Sequence, residues 1–236
     1  MLVLLAMRCS AEGVAQQMVT DDQAMIWRGV GPLNVAGNRS CTAALISDHE
    51  AVTAAHCLFN PRTFKRTEAE SIRFVMGQRR DTYAALRDVT ATAILPGYVY
   101  TGQTQDPASV AQDIALLELA SPVSRDEALP LQVADWPLGG RKGVQVDIVG
   151  YGRDRPFMAS IRAGCPAVDA INGVTLLDCQ AVPGLSGAPV VLAGPGKPML
   201  VAVVSSMVGT SRVNNDQMVV AAVAPHLAEL RALIGK

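Results

Sequence analysis

The stretch Arg87-Asp88-Val89-Thr90-Ala91-Thr92-Ala93-Ile94 alternates in polarity with a period of two. That period is typical of a half-buried β-strand, because successive side chains of a strand point to opposite faces of the sheet. Similar short apolar segments, rich in β-branched residues and bounded by turn residues, occur on both sides of it. They are Cys41–Ile46, Ala51–Ala54, Ile72–Met76, Val89–Leu95, Ile114–Leu119, Val144–Gly150, Val174–Cys179, Ala188–Ala193, Leu200–Ser205 and Met218–Val223. We therefore predict an all-β sandwich or barrel.

The segments between these strands refine the prediction. No helix of 10–15 residues recurs between them, which disfavours a doubly wound α/β sheet, and Asn172-Gly173 is a strong hairpin signal before Val174. Ser121–Gly143 is rich in Pro, Gly and charge, so we interpret it as a linker between two small barrels of about 27–120 and 144–223. Apolar residues at helical spacing predict one substantial helix at about 225–235, with Pro225 in its first turn.

Composition limits what such a domain can do. The chain has 236 residues, of which 50% are apolar and 17% charged, with a net charge of −1. This is enough apolar material for a folded core, and it lacks the basic surplus that binds nucleic acid. No apolar run approaches the length of a membrane-spanning helix, so we expect no stable membrane insertion.

The N-terminal residues 1–20 resemble a secretory leader without its basic start. Met1–Met7 is apolar, and small residues end at Ala15. We interpret the segment as a signal whose start lies upstream, cleaved near Ala15; the alternative is an apolar N-terminus with no targeting role. Lipid modification of Cys9 is disfavoured, because Arg8 stands where a small residue is needed.

Three short motifs carry the chemistry. They are Thr53-Ala54-Ala55-His56-Cys57, Asp113-Ile114-Ala115-Leu116-Leu117-Glu118-Leu119, and Pro183-Gly184-Leu185-Ser186-Gly187-Ala188-Pro189. Each alone also occurs in ordinary structural roles. Together, and in this order, they resemble the trypsin-like (chymotrypsin-fold) serine peptidases, and the Asp178–Pro189 stretch resembles their small bacterial branch. The resemblance covers about residues 27–223. It implies two perpendicular antiparallel β-barrels with a C-terminal α-helix, and we expect the peptidase domain to span residues 21–236.

The resemblance assigns a catalytic triad to His56, Asp113 and Ser186. A serine hydroxyl is a weak nucleophile and needs an adjacent base, which histidine supplies near neutral pH. A buried carboxylate fixes the imidazole tautomer. Of the three histidines, His49 and His226 are expected on the solvated surface. The resemblance also assigns the oxyanion hole to the backbone N–H groups of Gly184 and Ser186.

The five cysteines fit the same family. The resemblance implies a Cys41–Cys57 disulfide, and we also pair Cys165 with Cys179, which leaves Cys9 in the leader. Two disulfides indicate an oxidising compartment, so we predict a secreted or periplasmic protein. The alternative is a set of reduced, buried thiols. No Cys/His spacing suits zinc, and we expect neither metal nor cofactor.

Two positions depart from the family pattern. Leu185 replaces the aspartate that pairs with the freed N-terminus in zymogen-type members, so we expect no activation through that ion pair. The specificity pocket has Gln180 where trypsin has an acid, and the strand after the serine lacks the histidine of glutamyl endopeptidases. We expect substrate contacts from Gln180, Ala181, Val204, Ser205, Ser206 and Met207, and a small or medium uncharged P1 side chain. Ser205 matches a position that hydrogen-bonds the catalytic aspartate, and residues 96–112 resemble a loop near the cleft.

We therefore predict a monomeric serine endopeptidase with polypeptide substrates. One alternative is a catalytically silent relative that binds peptides or proteins on the same fold. Another is an α/β-hydrolase esterase, since Gly184–Ala188 loosely resembles a nucleophile elbow; it would use Asp216 and His226.

Overall fold

The structure is a computed structural model that describes residues 16–36, 39–102, 107–137, 142–171, 173–194, 196–209 and 216–234. Its elements in chain order are β1 (Gln16–Met18), α1 (Asp21–Ile26), β2 (Val30–Val35), β3 (Arg39–Leu45), β4 (Glu50–Thr53), β5 (Ile72–Met76), β6 (Ala85–Ile94), α2 (Pro107–Ala111), β7 (Ala115–Leu119), β8 (Gln132–Val133), β9 (Gln145–Gly150), β10 (Ser160–Ile171), β11 (Val174–Leu177), β12 (Pro189–Leu192), β13 (Met199–Gly209), β14 (Asp216–Ala222) and α3 (Ala224–Leu233). Short 3₁₀ turns cover Ala55–Leu58 and Ala69–Ser71.

The first six-stranded sheet closes into a barrel in the order β2-β3-β4-β7-β6-β5, and all of its pairings are antiparallel. Strand β6 contains the alternating stretch that first indicated a strand. It buries Val89 and Ala93 and exposes Thr90, with a register shift between Val89 and Ala91. Closure leaves this sheet without a free edge.

The second barrel closes in the order β9-β12-β13-β14-β11-β10, since β10 also pairs with β9. Strand β1 adds to β10, and β8 adds to β13. Ile171 pairs with Val174, so β10 and β11 form a hairpin as predicted, and Gly173 has a φ of +83°. The all-β prediction of two antiparallel barrels with a C-terminal helix is confirmed.

Some elements were not predicted from the sequence. Strand β2 contains Pro32, and β10 contains Gly164 and Pro166 and shifts register twice, which hides its periodicity. Residues 16–18 pair with β10 and Val19 is buried, so the leader predicted for 1–20 overlaps the fold at its end. Residues 1–15, including Cys9, lie outside the described residues of the chain.

The two barrels pack through a shared apolar core. Val52 and Leu116 of the first barrel lie in one buried cluster with Val149 and Val203 of the second. Helix α3 packs against β6 and β7 of the first barrel. None of the described helices is long and apolar enough to cross a membrane.

Candidate active site

His56 and Asp113 lie side by side because their strands are neighbours. Thr53 at the end of β4 pairs with Ala115 at the start of β7, so the residues just beyond these strand ends meet. Asp113 Oδ2 accepts a hydrogen bond from His56 Nδ1 at 2.7 Å, and Oδ1 accepts one from the His56 backbone N–H at 2.8 Å. With Nδ1 donating, the imidazole presents Nε2 as an acceptor.

Asp113 is an ionised, buried carboxylate. It is only 2% exposed, and Ser205 Oγ donates to its Oδ2 at 2.5 Å. Burial opposes ionisation of Asp113, but the electrostatic interaction with His56 and the hydrogen bonds from His56 and Ser205 outweigh it, so the pKa of Asp113 lies below its usual value. A charge held this way can orient the imidazole and stabilise its protonated form.

Ser186 lies across the junction of the two barrels from this pair. It lines a cleft of about 290 Å³ together with His56 and Asp113. The remaining lining residues are Tyr100, Gly102, Val110, Ala181, Val182, Pro183, Leu185, Val204, Ser205, Ser206 and Met207. The cleft thus combines mostly apolar wall residues with the polar residues His56, Asp113 and Ser186.

The loop around Ser186 has its peptide planes fixed by hydrogen bonds to their carbonyl groups. Pro183 C=O accepts from Arg153 N–H at 2.7 Å, and Leu185 C=O accepts from Ala188 N–H at 2.8 Å. No peptide bond of the described residues is cis. In a trans peptide the N–H points away from the C=O, so these two bonds also fix the directions of the Gly184 and Ser186 N–H groups.

Those two N–H groups donate to no acceptor among the described residues. Gly184 has a φ of +102°, and a Cβ there would lie 2.7 Å from Tyr151 O and 2.9 Å from Arg153 N. Only glycine fits this position without strain or displacement. The loop thus leaves the N–H groups of Gly184 and Ser186 available for an external acceptor, as an oxyanion hole requires.

Leu185 anchors the same loop from the opposite side. Its side chain is 1% exposed and packs in the core of the second barrel with Ala188, Val190 and the Cys165–Cys179 disulfide. An apolar residue buried in this way cannot form the ion pair of zymogen-type peptidases. The loop is held by packing and backbone hydrogen bonds instead.

Known proteins resemble this chain in sequence and in fold. A family model described as Trypsin matches residues 21–226. The chain belongs to the trypsin family. Serine protease 23 of Bos taurus is 28% identical over 165 residues, which cover 64% of this chain and 43% of that protein. Serine protease 23 of Homo sapiens is 27% identical over 166 residues, covering 64% and 42%. The chain thus spans less than half the length of these curated relatives.

A solved structure has the same fold. The structure titled "Structure of Glu endopeptidase in complex with MPD" superposes with a TM-score of 0.73 at 15% sequence identity. The match covers 94% of this chain and 96% of that one. At this identity the likeness concerns the fold.

The predicted substrate-binding residues of this trypsin-family chain fall into two groups. Ala181, Val204, Ser206 and Met207 line the cleft, as does Ser205, whose hydroxyl group also reaches Asp113. Gln180 differs from the prediction: it is exposed and is not among the described residues of the lining. It follows the disulfide-bonded Cys179, which is buried.

The sequence predicted the loop at 96–112 but not its contacts. Tyr100, Gly102 and Val110 of this loop line the cleft. Tyr100 stacks on Phe59 with ring centroids 5.0 Å apart. The ring centroid of Phe64 lies 6.0 Å from that of Tyr100. Half of the chain's four Phe residues therefore hold one cleft-lining tyrosine, a relation that no local pattern could reveal.

Both predicted disulfides are present, Cys41–Cys57 and Cys165–Cys179. The alternative of four reduced thiols is therefore wrong. Cys41, His56 and Cys57 bring potential metal-ligand atoms within 4.8 Å of one another. Because the two sulfur atoms are bonded to each other, this group offers no thiolate to a metal ion.

The other histidines lie apart from the described cleft lining. His49 is half-exposed and contacts Asp48 at 3.1 Å. His226 is less solvated than predicted, because it lies half-buried at the start of α3, and burial lowers its pKa. The side chain of Asp216 lies outside the described residues. The antiparallel barrels also overturn the α/β-hydrolase alternative, which needs a helix-flanked, mostly parallel sheet.

Proposed function

We propose that this trypsin-family chain is an active serine endopeptidase that cleaves polypeptides through an acyl-enzyme intermediate. The observation that carries the proposal is one cleft lined by Ser186 and by an aspartate-bound histidine, with the N–H groups of Gly184 and of Ser186 itself unpartnered among the described residues. A nucleophile, a base, an orienting acid and oxyanion donors are the groups that acyl transfer needs.

In the proposed reaction each of these groups has a single task. Ser186 Oγ attacks the scissile carbonyl carbon and gives its proton to His56 Nε2. The resulting oxyanion accepts hydrogen bonds from the N–H groups of Gly184 and Ser186. His56 then protonates the leaving amine, and a water molecule repeats the sequence on the acyl-enzyme, releasing the second product. Asp113 stays ionised throughout, consistent with its lowered pKa.

We further propose a preference for small or medium uncharged P1 side chains. The walls supporting it are Ala181, Val204, Ser206 and Met207. Apart from His56 and Asp113, the described lining carries no acidic or basic side chain that could select Lys, Arg or Glu. Gln180 is not among the described lining residues and is left out of this assignment. Tyr100 adds an aromatic wall to the same cleft.

The alternative of a silent peptide-binding relative is not favoured by the loop geometry. A relative with this fold would be catalytically inactive if it lacked a triad residue or if its oxyanion loop did not present its N–H groups. Here the carbonyl groups of Pro183 and Leu185 are held in place, which supports a preformed hole. We also infer an oxidising compartment, secreted or periplasmic, because the chain has two disulfides. That the protein is a monomer stays a prediction.

Cleavage of a diverse peptide library, read by mass spectrometry, tests this function. We expect cuts after residues such as Ala, Val or Thr, and none with the Ser186→Ala variant, which keeps the rest of the cleft. A dominant preference for Lys, Arg or Glu would refute the pocket assignment. Peptide binding without any cleavage by the wild-type protein would instead identify the silent relative.

A further inference from the structure

The nucleophile loop is tied to the first barrel through one buried residue. Thr42 on β3 is 0% exposed and sits next to the disulfide-bonded Cys41. Its backbone N–H donates to Ser186 C=O at 2.8 Å, and its hydroxyl group donates to Gly184 C=O at 3.2 Å. A single residue of the other barrel therefore contacts both residues of the oxyanion hole.

The hydroxyl group of Thr42 makes a second bond, to the segment that supports the nucleophile loop. Thr42 Oγ1 accepts from Tyr151 N–H at 3.1 Å. Two residues later, Arg153 N–H donates to Pro183 C=O and so fixes the peptide plane that carries the Gly184 N–H. The Thr42 hydroxyl group therefore connects the Tyr151–Arg153 segment to the nucleophile loop that this segment supports.

The residues around Thr42 are closely packed against its hydroxyl group and its backbone carbonyl group. A Cβ on Gly150 would lie 2.8 Å from the Leu185 side chain and 3.2 Å from Thr42 Oγ1, and a Cβ on Gly187 would lie 2.3 Å from Thr42 O. Thr53 Oγ1 also donates to Thr42 C=O at 2.8 Å. Thr42 is thus held by contacts with several residues. A side chain held in this way can fix the position of the nucleophile loop that it contacts.

We propose that the Thr42 hydroxyl group is a positioning element of the oxyanion hole, joining the Tyr151–Arg153 segment of the second barrel to Gly184 of the nucleophile loop. The inference rests on the proposed peptidase function. It explains how the loop keeps its shape with Leu185 in place of the zymogen aspartate: Thr42 in the first barrel supplies the polar anchor, and no freed N-terminus is required.

The experiment compares Thr42→Val, which keeps the shape and loses the hydroxyl group, with Thr42→Ser, which keeps the hydroxyl group. The substrate is the best peptide from the library, and rates are expressed per active site titrated to completion with a fluorophosphonate, so misfolded protein does not count. We expect Thr42→Val to lower kcat about 10–100-fold with KM within threefold, because a misaligned hole weakens transition-state binding. A peptide aldehyde, whose hemiacetal oxygen occupies the hole, should bind weaker by a similar factor.

Controls separate positioning from general stability. Thr42→Ser should keep kcat within about threefold of the wild type. Thr175→Val removes another buried threonine hydroxyl group (the residue is 5% exposed), on β11 and outside the cleft lining, and should leave kcat unchanged. If Thr42→Val does not fold, Thr42→Ala against Thr42→Ser isolates the same hydroxyl group.

Two negative results have different meanings. A wild-type protein that neither cleaves peptides nor reacts with fluorophosphonate overturns the proposed function. An active wild type whose Thr42→Val (or Thr42→Ala) variant keeps kcat and aldehyde affinity within threefold overturns the role of Thr42 and leaves the function standing.

Discussion

Replacing Asp113 with asparagine removes one acceptor oxygen from a buried carboxylate that uses both of its oxygen atoms as acceptors. The carboxylate receives His56 N–H at 2.8 Å on Oδ1, and His56 Nδ1–H at 2.7 Å and Ser205 O–H at 2.5 Å on Oδ2. An asparagine side chain has a single acceptor oxygen and an amino group that only donates. The substitution is isosteric, so the change is electronic rather than steric.

The new amide has two orientations, and one is clearly favoured. If the asparagine amino group faces the His56 backbone N–H, two hydrogen-bond donors face each other in a site that is 2% exposed, and neither has an acceptor. Placing the amino group toward Nδ1 keeps the backbone bond, and Ser205 can turn its hydroxyl group to accept. His56 must then carry its proton on Nε2, where it cannot receive the proton of Ser186.

This wrong tautomer sets the size of the effect. In serine triads the change costs about 10⁴ in kcat, equivalent to about 5.5 kcal/mol of transition-state stabilisation. We expect that loss in Asp113→Asn, measured as hydrolysis of the best library peptide at pH 8, with an unchanged circular dichroism spectrum. Ser205→Ala keeps the tautomer and should cost only about tenfold, as expected for one hydrogen bond to a charged group. An Asp113→Asn variant within tenfold of wild type would show that the tautomer does not control the rate, as would equal losses in both variants.

Three further outcomes follow from burial and linkage. Leu185→Ala should lower the free energy of unfolding by about 2–4 kcal/mol in urea titrations, because it leaves a cavity under the nucleophile loop; a loss below about 1 kcal/mol would be too small for the packing described. The double variant Cys165→Ser/Cys179→Ser opens a loop with a sequence separation of 14 and should lose about 3 kcal/mol, whereas unchanged stability would argue against the disulfide. Because folding lowers the pKa of Asp113, its stabilising contribution is complete above the unfolded value near 3.9 and is lost as pH falls through the folded value. The stability advantage of wild type over Asp113→Asn should therefore shrink between pH 6 and pH 2, and a growing advantage would reverse the sign.

Local patterns predicted most strands because these depend on short segments, and the resemblance of three short motifs to a known family assigned the triad residues. The alternation near Val89 and the Asn172-Gly173 turn signal are local. Strand β10 was missed because Gly164 and Pro166 interrupt its alternation where it bends between neighbours. A bent strand has no simple period to detect.

The support of the site could not be read from the sequence for a different reason. Thr42 bonds to Gly184, a residue 142 positions away, and Tyr100 depends on stacking with Phe59. Such contacts exist only after the barrels close and pack together. Gln180 shows the converse: its position matches the family pocket, but it is exposed and is not among the described lining residues of the cleft.

The proposed function depends on Ser186 being a nucleophile that His56 activates. Treating the folded protein with a fluorophosphonate and locating the modified residue by peptide mass spectrometry, in the wild type and in His56→Ala, measures this property itself. We expect one adduct, on Ser186, that forms at least about 1,000-fold more slowly in the variant, because removing the base leaves a neutral hydroxyl group. Absence of the Ser186 adduct in folded wild type, or equal labelling rates in the two proteins, would be incompatible with a serine activated by His56.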